Sequence, residues 1–352
     1  MLCPRRLFVS VTLVMMVVAN LYVLHLMLTT TRSRVSRGFG DYNYVKGDFP
    51  ILSGIISHIK AEPERPARYE TATTLHKRLE ALRHECDFRN MSKPLDFKNL
   101  PRFSWPWIYV SRKYKLLYCQ IPKVGTTNWL KIFAKLQMKV DPESKVEEIN
   151  NAHNIKLELL SYLRPAERDE VLRDYTKFLV VRDPFERVLS AFKDKLEWRR
   201  ELKGPIFRKL ASTIVDRYRK KGNLTNDGFN RITKVPRFEE FLRFVVDPSS
   251  TDVEMHYSEP RHWLPQHKLC YPCNIDYDYL LRIDNISDEA DFLLNEVGIP
   301  DKVRYPNSTS KSPYNEMLPA YFSNVSPDVV NALYHYYELD YRLFGFDVPP
   351  QF

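Results

Sequence analysis

A strand–loop–helix pattern that occurs twice limits most strongly how this chain can fold. The first copy has an apolar strand from Lys115 to Ile121, a loop from Pro122 to Thr127 and a helix from Asn128 to Met138. The second has a strand from Phe178 to Val181, a short turn and a helix from Phe185 to Leu196. Both helices place their apolar residues on one face. The pattern predicts an α/β fold, a parallel sheet flanked by helices, with a ligand site beyond the carboxyl ends of the strands.

The first loop has the residue types of an anion site. A loop between a buried strand and a helix N-terminus offers unpaired backbone N–H groups and the positive end of the helix dipole. Gly125 permits close approach of the backbone, Thr126 and Thr127 offer hydroxyls, and Lys123 adds a full positive charge. The pattern GxxxxGK[ST] is absent, so this is not the usual loop that binds a nucleoside triphosphate.

The second loop is suited to a further anionic group. Arg182 ends the strand and Ser190 follows two helical turns later, so that the guanidinium and the hydroxyl can converge on a second phosphate. Asp183 and Pro184 have the residue types of an N-cap and a first helical position. A capping role for them is compatible with a binding role for the loop.

These two segments carry a family resemblance. IPKVGTTNW followed by VVRDPFERVLSAF resembles the PAPS-binding signatures of the membrane-bound carbohydrate sulfotransferases (PAPS is 3′-phosphoadenosine-5′-phosphosulfate). The chain is most similar to the group of chondroitin/dermatan 4-O-, N-acetylgalactosamine 4-O- and HNK-1 (glucuronyl 3-O) sulfotransferases. The similarity runs from about Cys86 to the C-terminus and includes His262-Trp263, the Cys270-x-Pro-Cys273 segment and the stretch from Lys311 to Met317. It implies the sulfotransferase fold, with a P-loop-like core that binds PAPS.

The resemblance also implies residue roles. The first loop would hold the 5′-phosphosulfate, with Lys123 neutralising charge as the sulfuryl group leaves, and Arg182 and Ser190 would hold the 3′-phosphate. The transferred group carries less negative charge than a phosphoryl dianion, so we expect no requirement for a metal. The implied donor-binding residues are Pro122, Lys123, Val124, Gly125, Thr126, Thr127, Asn128, Arg182, Asp183, Pro184, Phe185, Glu186, Arg187, Val188, Leu189, Ser190 and Lys311.

The acceptor hydroxyl needs a general base. His153 matches an Ala-His element that the family carries between the two loops, and it is the leading candidate. The alternative is that His153 is a structural or surface histidine. His262, beside Trp263, is a second candidate base or a residue that contacts the sugar.

Charge and patterning leave several partners open. The formal net charge of +9 favours an anionic partner. Basic runs at 199–200 and 217–221 would suit an acidic glycan, although such runs are more often solvated surface. A Golgi glycosyltransferase would instead use Asp276 and Asp278 to bind Mn²⁺ and a sugar nucleotide, and a lumenal lectin would use Trp263 and Tyr271 to stack on a sugar. We expect no nucleic-acid partner, because the topology is lumenal.

The N-terminus predicts that topology. Leu7 to Leu28 contains no Asp, Glu, Lys or Arg, and an apolar helix of about 20 residues crosses a bilayer core. A cleaved signal peptide is the competing reading. Five glycosylation sequons follow the segment and favour a lumenal C-terminal portion. We therefore expect a single-pass type II Golgi membrane protein with a cytosolic tail (1–6), an anchor (7–28), a lumenal stem (29–85) and a catalytic domain (86–352). The sequon asparagines are Asn90, Asn223, Asn285, Asn307 and Asn324.

Cysteines fit the lumenal placement. Cys86, Cys119, Cys270 and Cys273 follow the anchor, and an oxidising compartment allows them two disulfides in any of three pairings. In the stem, leucines 75, 79 and 82 share one helical face, which would pack on the catalytic domain or against a second copy. A homodimer through the stem or anchor is one expectation.

The acceptor is the least constrained expectation. Position 4 of N-acetylgalactosamine in a chondroitin/dermatan-type chain is favoured, because that activity is the most common in the group. Glucuronate and terminal N-acetylgalactosamine on glycoproteins or glycolipids are the alternatives.

Overall fold

The computed structural model describes residues 65–101, 104–197, 204–219, 235–250, 260–306 and 313–349. One compact unit extends from Glu62 to Phe352. Its described part contains a four-stranded sheet flanked by helices. The strands, in their order across the sheet, are β1 (Ile108–Ser111), β2 (Leu116–Cys119), β3 (Thr176–Val181) and β4 (Tyr279–Arg282).

The sheet is mixed rather than wholly parallel. β2, β3 and β4 are parallel, with Cys119 opposite Leu179 and Val181 opposite Arg282. β1 is antiparallel to β2, with Ile108 opposite Cys119. The expectation of a parallel sheet is therefore wrong at this edge. The reason is the short connection between β1 and β2, since only an antiparallel partner can be reached without a long crossover.

The helices that follow β2 and β3 confirm the repeated strand–loop–helix pattern. Both strands are almost completely buried, as near-continuous apolar strands in the middle of a sheet usually are. The helices within the described residues are α1 (Arg65–Phe88), α2 (Thr126–Leu136), α3 (Pro165–Asp174), α4 (Pro184–Lys195), α5 (Gly204–Tyr218), α6 (Phe238–Val246), α7 (Gln266–Cys270), α8 (Ile286–Glu296), α9 (Pro313–Phe322) and α10 (Pro327–Phe344).

Helix α1 packs on the rest of the unit. Leu75, Leu79 and Leu82 are buried in the main apolar core. Arg78 forms two 3.0 Å hydrogen bonds with the Glu289 carboxylate of α8. The compact unit therefore begins upstream of residue 86, the boundary expected from the sequence, because the apolar face of α1 is part of its core.

Two disulfides join distant parts of the unit. Cys86, in α1, is bonded to Cys273, and Cys119, the last residue of β2, is bonded to Cys270, the last residue of α7. The expectation of two disulfides is confirmed, and the pairing is one of the three that the sequence allowed.

Several of the predictions made from the sequence concern residues outside the described ranges. The apolar segment Leu7 to Leu28, the sequons at Asn223 and Asn307, and Lys311 lie outside the described residues. Within the described ranges, no helix is both long enough and apolar enough to cross a bilayer. The sequon asparagines that the structure does describe, Asn90, Asn285 and Asn324, are all exposed.

Candidate active site

A cavity of about 520 Å³ lies at the carboxyl ends of β2 and β3, where the sequence predicted the site. Both predicted loops and both candidate bases contribute side chains to its wall. The predicted residues that line it are Pro122, Lys123, Gly125, Thr126, Thr127, Asn128, His153, Arg182, Ser190 and His262.

The first loop turns sharply before α2. Lys123 and Gly125 have φ angles of +75° and +79°, in the left-handed region that favours glycine. A Cβ on Gly125 would lie 2.2 Å from the Tyr305 hydroxyl oxygen, so the position has no room for a side chain. The buried Thr126 hydroxyl donates a 2.6 Å hydrogen bond to the Ile121 carbonyl. This hydrogen bond holds the two ends of the loop together. The residues of the first turn of α2, Thr126 to Asn128, line the cavity.

Two lysines share one carboxylate at the cavity wall. The Lys123 ammonium lies 2.9 Å from Asp194, near the end of α4, and the Lys195 ammonium lies 3.3 Å from the same carboxylate oxygen. Among the described residues, the carboxylate of Asp194 is shared by two cations, which favours a positive field beside the loop. Such a field favours an anionic donor group.

Arg182 is fixed at the end of β3. Its backbone exchanges hydrogen bonds of 3.0 and 2.8 Å with the side-chain amide of Gln266 in α7. Its buried guanidinium bonds to Glu186 at 3.0 and 3.1 Å and to the Lys123 carbonyl at 3.3 Å. Glu186, which the resemblance placed among the donor-binding residues, pairs with Arg182 and does not line the cavity.

The start of α4 is capped as the sequence indicated. The Asp183 carboxylate accepts hydrogen bonds from the backbone N–H groups of Phe185 and Glu186 at 2.8 and 2.9 Å, and Pro184 is the first helical residue. Burial, together with the neighbouring Glu186 carboxylate, raises the pKa of Asp183 from 3.8 to about 6. Asp183 stabilises the helix rather than lining the cavity.

Arg187 joins the first loop to another segment. It is 1% exposed. Its guanidinium donates to the carbonyl oxygens of Pro122, Leu264 and Arg261 at 3.0, 2.7 and 2.8 Å. These contacts give Arg187 a positioning role between the first loop and the segment that contains Arg261 and Leu264. Side chains of four other residues implied by the resemblance also lie in the core, away from the cavity: Val124, Phe185, Val188 and Leu189.

His153 reaches the cavity from the 3₁₀ turn Ala152–Asn154. Its Nε2 lies 3.0 Å from the Thr127 hydroxyl at the start of α2. Partial burial lowers the pKa of His153, and the positive charge of Lys195 lowers it further. His262 lies on the wall of the same cavity, in the turn Pro260–His262. Its neighbour Trp263 is 1% exposed and packs on Phe241, so it offers no surface for sugar stacking by a lectin.

Five cavity residues were not identified from the sequence: Trp107, Gln120, Asp194, Lys195 and Arg261. A signal existed for Asp194, which lies four residues after Ser190 and therefore on the same helical face. Arg261 is 9% exposed, and its Cζ lies 4.2 Å from the centroid of the Trp107 ring. Burial lowers the pKa of Arg261 to about 10.

The aspartates of the glycosyltransferase alternative lie elsewhere. Asp276 pairs with Arg83, and Asp278 accepts a 2.7 Å hydrogen bond from the backbone of Lys177, near the start of β3. Both precede β4, so they are at the opposite edge of the parallel strands from the cavity. The described residues also contain no group of three or more His, Cys, Asp and Glu side chains placed to hold a metal ion.

The fold and the site bring two loops with basic side chains together at one cavity. Residues 106–347 match the sulfotransferase family model. The chain therefore belongs to the sulfotransferase family, and its relatives make it a PAPS-dependent carbohydrate sulfotransferase.

The similar proteins are named carbohydrate sulfotransferases. The chain is 34% identical to carbohydrate sulfotransferase 10 of Xenopus laevis over 78% of this chain and 77% of that protein. It is 34% identical to carbohydrate sulfotransferase 10 of Homo sapiens over 78% and 76%. It is 30% identical to carbohydrate sulfotransferase 11 of Rattus norvegicus over 74% and 70%. No solved structure matches the chain. The resemblance to the carbohydrate sulfotransferases is thus confirmed.

Proposed function

We propose that this enzyme transfers the sulfuryl group of PAPS to position 4 of N-acetylgalactosamine in chondroitin/dermatan-type chains by in-line displacement. The observation that carries the proposal is that one cavity collects Lys123, Arg182 and Ser190 from the two loops together with two histidines. Donor, base and acceptor can then meet at one point, as in-line transfer requires.

The donor lies across the two loops. The 5′-phosphosulfate binds at the N-terminus of α2 with Lys123, and the 3′-phosphate binds at Arg182 and Ser190. Lys123 leaves Asp194 for the donor, since the bridging oxygen becomes more negative as the sulfur–oxygen bond breaks. The leaving group is adenosine 3′,5′-bisphosphate.

His153 accepts the proton of the acceptor hydroxyl as the new oxygen–sulfur bond forms. Its lowered pKa favours the neutral imidazole, which is the form that accepts a proton. The Thr127 hydroxyl, 3.0 Å away, orients the ring. His262 is the alternative base, because it lies on the same cavity.

The acceptor is an acidic glycan, in line with the positive cavity wall and the net charge of +9. Glucuronate and terminal N-acetylgalactosamine are the competing acceptors. The apolar segment and the sequons support a single-pass type II protein of the Golgi membrane with a lumenal catalytic domain. Dimerisation through the stem or anchor remains part of this proposal.

The test uses the full-length enzyme with labelled PAPS and a panel of acceptors: unsulfated chondroitin, dermatan, a terminal glucuronyl disaccharide and a terminal N-acetylgalactosaminide. We expect label on position 4 of N-acetylgalactosamine in the polymers, read by disaccharide analysis. Label on glucuronate would show that glucuronate is the acceptor, and label only on the terminal sugar would show that terminal N-acetylgalactosamine is. Absence of transfer from PAPS to any of them would overturn the function.

Site variants test the donor assignment in the same assay. Lys123→Ala and Arg182→Ala should lower transfer at least about 100-fold, since each removes a charged contact to the donor. Lys302→Ala and Arg304→Ala, which remove the same charges at exposed positions, are the matched controls. Near-normal activity of Lys123→Ala or Arg182→Ala contradicts the assignment. His153→Ala should abolish turnover and leave binding of adenosine 3′,5′-bisphosphate intact; if only His262→Ala does so, His262 is the base.

A further inference from the structure

Arg261 is a buried cation at the cavity without a counter-ion among the described residues. Its Nε and Nη2 atoms are enclosed and have no hydrogen-bond partner in that part of the chain. These two atoms form one edge of the guanidinium, the edge that suits a carboxylate held by two parallel hydrogen bonds. Both atoms are closed to the cavity as the structure stands. Buried N–H groups without partners are unfavourable, so a shift of the side chain that turns this edge toward an anion in the cavity is favoured.

Trp107 holds the guanidinium in place from one side. The Arg261 Cζ lies 4.2 Å from the centroid of the Trp107 ring, a close cation–π contact. Trp107 itself is 39% exposed and lines the cavity. An exposed aromatic ring beside an unpaired guanidinium offers an apolar face and a charge together, which is what a sugar ring with an acidic substituent requires.

The sheet order separates this pair from the donor loops. At the carboxyl edge, Trp107 precedes β1, Gln120 follows β2 and Arg182 follows β3. Because β1 is the edge strand, Trp107 lies on the side of the first loop that faces away from Arg182. In-line transfer places the acceptor on the side of the sulfur opposite the leaving phosphate. The space next to Trp107 and Arg261 is therefore left for the acceptor.

The Arg261 backbone is fixed relative to the donor loop. Arg187 donates to the carbonyl oxygens of both Pro122 and Arg261, at 3.0 and 2.8 Å. A group bound at Arg261 is thereby held at a set distance from the loop that carries Lys123. Substitution of the Arg261 side chain leaves both of these backbone contacts in place.

We infer that Arg261 and Trp107 form an acceptor subsite that recognises the carboxylate of a hexuronate. This inference rests on the proposed function and deepens it. Two of the three acceptors that the proposal weighs, a chondroitin/dermatan-type chain and glucuronate, carry this carboxylate on or beside the accepting sugar, whereas terminal N-acetylgalactosamine has none. An acceptor that has not yet been sulfated has no other anionic group for the guanidinium to pair with.

The experiment measures binding of unsulfated chondroitin hexasaccharide and of the same oligosaccharide after carboxyl reduction. Calorimetry with the full-length enzyme, loaded with adenosine 3′,5′-bisphosphate, needs no turnover. We expect carboxyl reduction to weaken binding to the wild type about 10- to 100-fold, the range for a lost charged hydrogen bond. Arg261→Met should weaken binding of the native hexasaccharide by the same factor and leave the reduced form unchanged.

Control variants separate the subsite from other roles. Arg304→Met removes an equal charge at an exposed position and should bind both oligosaccharides like the wild type. Arg261→Lys keeps the charge but lacks the two-pronged edge, so it should recover only part of the affinity; it also serves if Arg261→Met does not fold. The inference is overturned if carboxyl reduction leaves the affinity of the wild type unchanged. It is also overturned if Arg261→Met lowers the affinity for both oligosaccharides equally.

A donor role for Arg261 gives a different result. In that case Arg261→Met would weaken adenosine 3′,5′-bisphosphate itself, and the acceptor subsite would be wrong. Failure of the proposed function is separate, because it appears as absence of transfer from PAPS while carboxylate-dependent binding is measured without transfer.

Discussion

At His153, the neighbouring charges decide which protonation state is populated. Burial and the cations of Lys195 and Lys123 lower its pKa, and only Asp194 acts in the opposite direction. A base must be neutral before it accepts a proton, so the lowered pKa keeps His153 competent at pH values where an ordinary histidine is already charged. In the proposed reaction, the lysines beside the first loop would therefore also keep His153 neutral.

Lys195→Met tests this coupling. Removing the cation should raise the pKa of His153, so the acidic limb of the kcat profile should move to higher pH than in the wild type. The wild-type limb should itself lie below 6.5, the ordinary histidine pKa. The kcat of the wild type and of Lys195→Met is measured from pH 5 to 8 with saturating PAPS and acceptor. The pH at the midpoint of the acidic limb is compared between the two enzymes, and the maximal kcat is not.

Two outcomes would contradict the coupling. Lys302→Met, at an exposed position, should leave the profile unchanged, and a shift as large as that of Lys195→Met would indicate a general charge effect. An acidic limb that stays at the wild-type pH in Lys195→Met belongs to another group than His153.

Among the helices and strands, α4 makes several of the contacts that build the site. It begins at the Asp183 cap, supplies Ser190 and Asp194 to the cavity, and sends Arg187 to the Pro122 carbonyl of the other loop. A single helix thus connects the two loops that line the cavity. The positions of both loops therefore depend on the stability of the first turn of α4.

Substitution of Asp183 separates capping from charge. Asp183→Ala removes the acceptor of two backbone N–H groups and should lower the free energy of unfolding by about 1–2 kcal/mol. Asp183→Asn keeps an acceptor and removes a carboxylate whose charged form burial disfavours, so it should be at least as stable as the wild type at pH 7. Denaturant unfolding of both variants and the wild type measures the difference.

The pH dependence of that difference follows from the pKa. The folded pKa of Asp183, about 6, lies above its ordinary value of 3.8, so folding favours the protonated form. Its contribution is complete below 3.8 and is lost as pH rises through about 6. The advantage of Asp183→Asn over the wild type should grow across that window and then level off. A constant difference from pH 4 to 8 would show that Asp183 does not titrate in this window.

Across the whole molecule, local patterns were predictable and long-range pairings were not. Both loops follow from a few adjacent residues each: an apolar strand, small or hydroxylic residues, and a helix start. The Trp107–Arg261 contact joins positions far apart in the chain, and no local pattern specifies it. The same holds for the carbonyl partners of Arg187, which looks like a donor ligand from its motif alone.

The antiparallel edge of the sheet was missed for a related reason. The apolar residues of β1 and β2 do not encode which way the strands run, whereas their short connection does. The leucines of α1 predicted a helix and one buried face, but two partners suited that face equally well. Pairing with α8 through Arg78 and Glu289 depends on a contact across most of the chain.

The two disulfides connect different parts of the molecule and allow a matched comparison. Cys119 ends β2 three residues before Pro122, where the first loop begins, and Cys270 ends α7, whose Gln266 holds the backbone of Arg182. This bond therefore links the supports of both loops. Cys86 and Cys273 instead tie α1 to the segment after α7. The sequence separations, 151 and 187 residues, are similar, so the entropic effect of each bond on the unfolded chain should also be similar.

Removing each bond in turn should separate stability from donor binding. Cys119→Ala/Cys270→Ala and Cys86→Ala/Cys273→Ala should each lower the free energy of unfolding by about 2–5 kcal/mol, measured by denaturant unfolding. Only the first pair should also weaken adenosine 3′,5′-bisphosphate, measured by calorimetry below the unfolding transition, because only that bond holds β2 against α7. Equal weakening in both variants would mean that the loops depend on overall stability, and unchanged binding in the first would mean that Gln266 and Arg187 hold them without the disulfide.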